Sequence, residues 1–141
     1  MNRWIRISLT ALTGAVGLSA IAGGLALIVG ASLPSAPGGM VPDAAYLGGS
    51  PFASYVGPGL LLAVVVGGTH ILAALLVGRR SAAGPLVVVV AGFGMLIWIF
   101  VQMMFVPFSV LQAVYFAAGL AELGLVLLGL GLFRRPAATA L

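Results

Sequence analysis

The sequence predicts an all-α, polytopic membrane protein: a four-helix transmembrane bundle with one extracytoplasmic loop between helices 1 and 2. Of the 141 residues, 62% are hydrophobic and 6% are charged, whereas about a quarter of the residues of a soluble domain carry charge. Four apolar stretches reach the roughly 20 residues that a helix needs to cross the hydrocarbon layer. All the arginines lie in pairs that flank these stretches, at positions 3 and 6, 79 and 80, and 134 and 135.

The first helix is expected over residues 8–31, directly after the first arginine pair. This apolar run is longer than the roughly 7–15 residues of a signal-peptide core, which favours an uncleaved signal anchor. The small residues Val29, Gly30 and Ala31 nevertheless fit a cleavage site. Cleavage there would leave three helices with the same orientation.

The other three helices have recognisable starts. They are expected over residues 58–78, 85–106 and 110–133. Pro58 and Pro85 each follow a glycine and are placed at a first helical position, where the missing N–H of proline does no harm. Ser109 and Gln112 match a capping box. The third and fourth helices are therefore expected to form a tight antiparallel hairpin.

The arginine pairs also predict the orientation of the chain. Cationic side chains near the ends of apolar spans stay on the cytoplasmic side, which places both termini in the cytoplasm and the loop of residues 32–57 outside. That loop contains no Lys or Arg, as this orientation requires. Its aromatic part, from Tyr46 through Phe52 to Tyr55, is expected to anchor at the outer headgroups, with ligand binding as the alternative.

Composition suggests a source and limits the function. The chain lacks lysine and is rich in Ala, Gly, Val and Leu, which favours a bacterial source and hence a bacterial cytoplasmic (inner) membrane. No polar linker is long enough to separate two domains, so residues 1–141 are expected to form one transmembrane domain. The formal charge of +4 does not indicate nucleic acid, because the arginines form pairs at span ends rather than one basic face. The lipid bilayer, with its anionic headgroups, is the simpler partner.

Few side chains in this sequence can carry out chemistry. The chain contains no cysteine, which excludes disulfides and thiolate nucleophiles. A metal site requires three or four ligands, and His70 and Glu122 supply two. No metal, no cofactor and no enzymatic activity are therefore expected.

Small and polar residues mark the helix faces that contact protein, since apolar side chains suit lipid equally well. The fourth helix carries Gln112, Tyr115, Gly119 and Glu122 on one stripe. The first helix has two rows of small residues, which suit ordinary bundle packing or a homodimer contact. The packing face of the first helix comprises Thr10, Thr13, Gly17, Ala20 and Gly24, and its second row comprises Ala11, Ala15, Ser19 and Gly23.

His70 and Glu122 are the two ionisable residues placed at membrane depth. At 1.5 Å per residue, their distances from the span ends place them within roughly 3 Å of each other in depth. One interpretation is a proton-coupling site. The other is a buried polar pair that only fixes helix register, or a protonated Glu122 bonded to Ser19 or to a backbone carbonyl. In the functional interpretation, Gln102, Gln112 and Tyr115 form a polar path to the outside.

Two functional hypotheses follow. The first is a non-catalytic membrane protein, either a subunit of a larger membrane complex or a self-associating homo-oligomer. It depends on the small-residue faces and on the shortage of reactive groups. The alternative is a proton-coupled small-molecule transporter that acts as a dimer, with Glu122 as the coupling carboxylate and His70 as its partner.

Overall fold

A computed structural model of the protein describes residues 1–33 and 41–132, and the described residues contain helices and no strands. Four helices are long and apolar enough to cross a membrane: α1 (Arg3–Ser32), α2 (Val56–Gly78), α3 (Gly84–Phe105) and α4 (Val110–Gly129). The prediction of an all-α fold with four helices of membrane length is confirmed.

Local sequence signals mark the helix starts, although only α4 begins at the predicted residue. Helix α1 begins at Arg3 rather than Ser8, because the side chain of Asn2 accepts a hydrogen bond from the Ile5 N–H and caps the helix early. Pro58 and Pro85 lie within the first turn of α2 and α3, although neither occupies the first helical position.

The capping box of α4 is confirmed. The Ser109 hydroxyl accepts from the Gln112 N–H at 3.4 Å, and the Gln112 side-chain oxygen accepts from the Ser109 N–H at 2.8 Å. Helix α4 ends at Gly129, earlier than predicted. Gly131 adopts φ +76° and lets the Leu132 N–H reach the Leu127 carbonyl, which is the usual way a glycine ends a helix. Residues 133–135 of the predicted span end lie outside the described residues.

Consecutive helices run antiparallel and pack in a ring, in which α1 contacts both α2 and α4. The space between the helices is filled by two apolar clusters. The inner cluster comprises Leu9, Ala73, Val77, Val88, Ala91 and Val126, and the outer cluster comprises Val16, Ala20, Val66, Met95 and Ile99. Large apolar side chains such as Leu86, Phe100 and Met104 are exposed around the bundle, as lipid-facing residues would be.

Helices α1 and α2 approach each other closely along glycines. A Cβ atom at Gly24 would lie 2.5 Å from the Gly59 carbonyl oxygen, and one at Gly67 would lie 3.2 Å from the Gly17 carbonyl oxygen. Small residues allow such backbone contact between membrane helices. Ala20, predicted on the same face, is also buried.

The loop before α2 folds against the bundle. A short 3-10 helix spans Ala44–Leu47, and the Tyr55 hydroxyl donates to the Asp43 carbonyl at 2.8 Å. Burial raises the pKa of Tyr55, and the nearby Asp43 carboxylate and Tyr46 raise that pKa further. The interpretation of this loop as a row of headgroup anchors is wrong for Tyr55, because the Tyr55 ring is buried within the protein.

Four of the arginines lie at the same end of the bundle. Gly129, near the end of α4, packs against Met1, and Gly78, at the end of α2, packs against Thr10. Helix α1 therefore begins where α2 and α4 end. The first two arginine pairs flank this end, whereas the third pair, at positions 134 and 135, lies outside the described residues.

Candidate functional site

His70 and Glu122 meet in the interior of the bundle. His70 Nε2 lies 3.2 Å from Glu122 Oε2, and both side chains are fully buried. The atoms are at hydrogen-bonding distance but lack the alignment of a hydrogen bond, so His70 Nε2 and both Glu122 oxygens have no partner of good geometry among the described residues. The structure thus brings together His70 and Glu122, which the sequence places at a similar depth along their helices.

The contact of His70 with the Val66 carbonyl indicates which ring nitrogen carries a proton. His70 Nδ1 lies 2.7 Å from the Val66 carbonyl oxygen. A carbonyl only accepts, so Nδ1 must carry a proton and donate it. Nε2 of the neutral ring then presents a lone pair to Glu122, and two facing lone pairs in a dry interior repel each other. A proton on either Nε2 or Oε2 would remove this repulsion and would let the two atoms, 3.2 Å apart, form a hydrogen bond.

A π-helical segment in α2 aims His70 at Glu122. It spans Leu61–Gly67, directly before the last part of the helix. Gly59 faces α1, and at 3.6 residues per turn an unbroken α-helix would place His70 only about 20° away, also facing α1. A π turn takes up one extra residue. That residue turns His70 to about 80° from the direction of Gly59, toward α3 and α4.

The surroundings of the pair are tightly packed. A Cβ atom at Gly92 of α3 would lie 3.5 Å from Glu122 Oε2 and 3.3 Å from the Leu123 side chain. On α1, the Thr13 hydroxyl is fully buried but donates to the Leu9 carbonyl at 2.7 Å. Ser19 also donates to its own helix, at the Val16 carbonyl. Neither carboxyl oxygen of Glu122 has a hydrogen-bond partner of good geometry among the described residues, so neither the predicted bond to Ser19 nor the one to a backbone carbonyl is formed.

A cavity of about 120 Å³ lies beside the pair, in the half of the bundle away from the arginines, and is called the outer cavity here. Its lining consists of Ser19, Ala20, Gly23, Leu62, Val66, Met95, Trp98, Ile99, Gln102, Ser109, Leu111, Gln112 and Tyr115. Val66 links the cavity to the pair through its carbonyl. Met95 lies about one turn beyond Gly92 on α3. The inner apolar cluster closes the other half of the bundle.

The three residues of the predicted polar path all line this outer cavity. Gln112 is buried, whereas Gln102 and Tyr115 are half-buried. Among the described residues no hydrogen bond joins Gln102 to Tyr115. The predicted polar path therefore consists of separate polar side chains that line the outer cavity. Gly119, predicted as a packing residue, is buried against Leu96 and Met95.

A second cavity, of about 170 Å³, lies between the loop and the adjacent ends of α1, α2 and α3, and is called the loop cavity here. Tyr46, Phe52 and Tyr55 of the loop line it. Trp98 and Gln102 border both cavities. The aromatic part of the loop therefore borders an apolar space, with Tyr55 buried, Phe52 half-buried and Tyr46 exposed.

Sequence reasoning missed the π turn and the role of the Val66 carbonyl. The one signal in the sequence is the adjacent pair Gly67 and Gly68 just before His70, since glycine pairs accompany irregular helix geometry. A regular helical wheel places His70 on the α1 face and therefore gives the wrong direction for this side chain.

Four apolar helices around an enclosed polar pair are compatible with a small membrane protein. Comparison of the chain with known protein families, with characterised protein sequences and with solved structures gives no match. The functional argument therefore depends on the geometry of the bundle itself.

Proposed function

We propose that this chain is a non-catalytic integral membrane protein of a bacterial cytoplasmic membrane, with both termini inside, that assembles through α1 with a second copy or with another membrane subunit. The observation that carries the proposal is the second small-residue row of α1. Ala11 and Ala15 are exposed along one side of α1, while the neighbouring face with Gly17 and Gly24 is buried against α2. Ser19 and Gly23 of the same row line the outer cavity. Small residues that face away from their own bundle let another helix approach closely.

The non-catalytic part of the proposal is supported by enclosure. Within the described residues, His70 and Glu122 are the ionisable groups remote from the ends of the bundle, and both are fully buried. A group that acts on a substrate must come within hydrogen-bond reach of it. The packed side chains around this pair leave no such access in the conformation described.

The orientation is supported by charge. The described arginines lie at one end of the bundle, and Asp43 lies in the loop at the other end. Because the chain contains no cysteine, single cysteines can report the orientation. A membrane-impermeant maleimide added to intact cells should label Ser50→Cys in the loop and should not label Ser81→Cys between α2 and α3. If only Ser81→Cys were labelled, the proposed orientation would be wrong and the opposite orientation would be indicated.

Cysteine cross-linking in native membranes tests the assembly. Ala15→Cys should form a cross-linked product under mild oxidation or with a short bis-maleimide. Val90→Cys, an exposed α3 position at similar depth across the ring from α1, should not. The mass of the product distinguishes a dimer from a complex with another subunit. Equal cross-linking at the two positions, or none at either, would contradict assembly through α1.

The second candidate is proton-coupled transport of a small molecule by a dimer, and the adjacency of the outer cavity to the His70–Glu122 pair favours it. The Val66 carbonyl contacts His70, and Val66 also lines the cavity. In this state the inner cluster seals the opposite half, so transport requires a second conformation that opens there. Ionisable residues at membrane depth often mark such routes.

Proteoliposomes with an imposed pH gradient and an entrapped pH dye test this candidate. Glu122→Gln should abolish proton flux, because an amide cannot release a proton. Asp43→Asn is the matched control, since it changes the other carboxylate of the chain at a site where asparagine can still cap the 3-10 helix. Equal flux in wild type and Glu122→Gln would exclude coupling through Glu122.

A further inference from the structure

The outer cavity has the size and chemistry of a ligand site. We propose that it binds a small neutral molecule with a ring-sized apolar body and one oxygen that accepts hydrogen bonds. Binding of this kind requires neither a partner chain nor proton movement. The second proposed function also uses this cavity, but binding can be measured without any proton or substrate flux.

Volume and wall composition define the apolar part of the ligand. The cavity of about 120 Å³ is a little smaller than the dry cavity of about 150 Å³ that holds benzene in another protein. Most of its wall is apolar and includes Leu62, Met95, Trp98 and Ile99. A six-membered ring fits this space and can lie against the Trp98 indole.

Two donors define the polar part. The Gln112 side chain is 4% exposed, and its oxygen is already used by the Ser109 N–H. Its NH₂ group has no hydrogen-bond partner among the described residues, and the same is true of the Tyr115 hydroxyl. Both residues line the outer cavity. Neither donor is used within the described residues, so a carbonyl or ether oxygen of a ligand in the cavity can accept from them.

The lining also explains why the ligand should be neutral. Apart from Tyr115, no residue that lines the outer cavity is ionisable. Glu122 and His70 are enclosed behind the wall and already face each other. A charged ligand would lose its hydration shell without gaining a counter-ion, so cations and anions should both be rejected.

Tryptophan fluorescence in detergent tests the inference with a matched set of probes. The chain has two tryptophans, so the Trp4→Phe variant leaves Trp98 as the only one. Cyclohexanone should produce a saturable change in Trp98 emission. Methylcyclohexane, which lacks the oxygen, and cyclohexylammonium, which is charged, should bind at least about threefold more weakly.

Two variants place the probe within the outer cavity. Tyr115→Phe removes only a hydroxyl, and Gln112→Glu keeps an oxygen for the Ser109 N–H while removing the NH₂ donor. Each should weaken cyclohexanone binding by about three- to tenfold. Because Trp98 also borders the loop cavity, unchanged affinity in both variants would mean binding elsewhere and would overturn the inference. Equal affinity for cyclohexanone and methylcyclohexane would also overturn it.

Discussion

Replacing Gly24 by alanine should destabilise the bundle by about 1–3 kcal/mol, the range for overpacked cores. The added Cβ would lie 2.5 Å from the Gly59 carbonyl oxygen and 2.7 Å from the Ala63 nitrogen. These are backbone atoms of a packed helix, so they cannot rotate away as the tip of a side chain can. Helices α1 and α2 must separate by roughly 1 Å, and such a gap removes a quarter to a half of the dispersion energy of each contact.

The neighbouring residue provides a matched control. A Cβ atom at Gly23 would lie 3.6 Å from the Leu62 side chain, which is an ordinary contact, so Gly23→Ala should leave stability unchanged or slightly improved. The assay is SDS-induced unfolding in mixed micelles, followed by Trp98 emission in the Trp4→Phe background. If Gly24→Ala unfolds at the same SDS fraction as Gly23→Ala, the close approach of α1 and α2 is wrong.

Three further predictions concern stability. Glu122→Gln should cost less than about 1 kcal/mol, because its NH₂ can donate to His70. Glu122→Leu leaves a buried ring nitrogen without a polar neighbour and should cost about 1–3 kcal/mol in SDS unfolding. Equal costs would contradict a stabilising contact between residue 122 and His70. Arg80 has φ +59°, a left-handed conformation that glycine adopts more readily than arginine. Arg80→Gly should therefore stabilise the protein by about 1 kcal/mol in the same assay, while Arg79→Gly should not. A loss of stability in Arg80→Gly would contradict backbone strain at this position. Because burial raises the pKa of Tyr55 above its ordinary value of 10.0, its contribution is complete below pH 10.0 and is lost as the pH rises through the folded-state pKa. Alkaline unfolding should therefore be less steep in Tyr55→Phe, and an unchanged slope would contradict burial.

The number and approximate bounds of the helices follow from the sequence, because an uninterrupted apolar run of about 20 residues is a strong signal for a long helix. The capping box at Ser109 is also local and was predictable. The ends of α1 and α4 differ from prediction for local reasons that hydropathy does not weigh. Asn2 extends α1 by capping it, and Gly131 stops α4 through a left-handed turn.

The sequence predicts the level of His70 and Glu122 along their helices, but not the direction in which the His70 side chain points. Depth depends on the rise per residue, which α-helices hold nearly constant, so the common level of His70 and Glu122 follows from counting. Direction depends on rotation, which one π turn changes by about 100°. The cavity beside the pair was not predictable, since it depends on how Trp98, Gln102 and Tyr115 from different helices leave space between them.

The packing of the loop also lies beyond sequence reasoning. Aromatic residues near a span end suit the headgroup region, and they suit a lid over an apolar space equally well. The Tyr55 hydroxyl bond to the Asp43 carbonyl selects the second arrangement. This contact links residues that no short-range pattern connects.

The contact between His70 and Glu122 is the central claim, and the composition of the chain allows one direct measurement. The sequence contains a single histidine and a single glutamate, so ¹⁵N-histidine and carboxyl-¹³C-glutamate labelling creates one Nε2–carboxyl pair per chain. Solid-state NMR recoupling in lipid bilayers should give a distance of no more than about 4.4 Å between these nuclei, because the C–O bond adds about 1.2 Å to the 3.2 Å contact. The absence of a dipolar coupling between them would contradict the account.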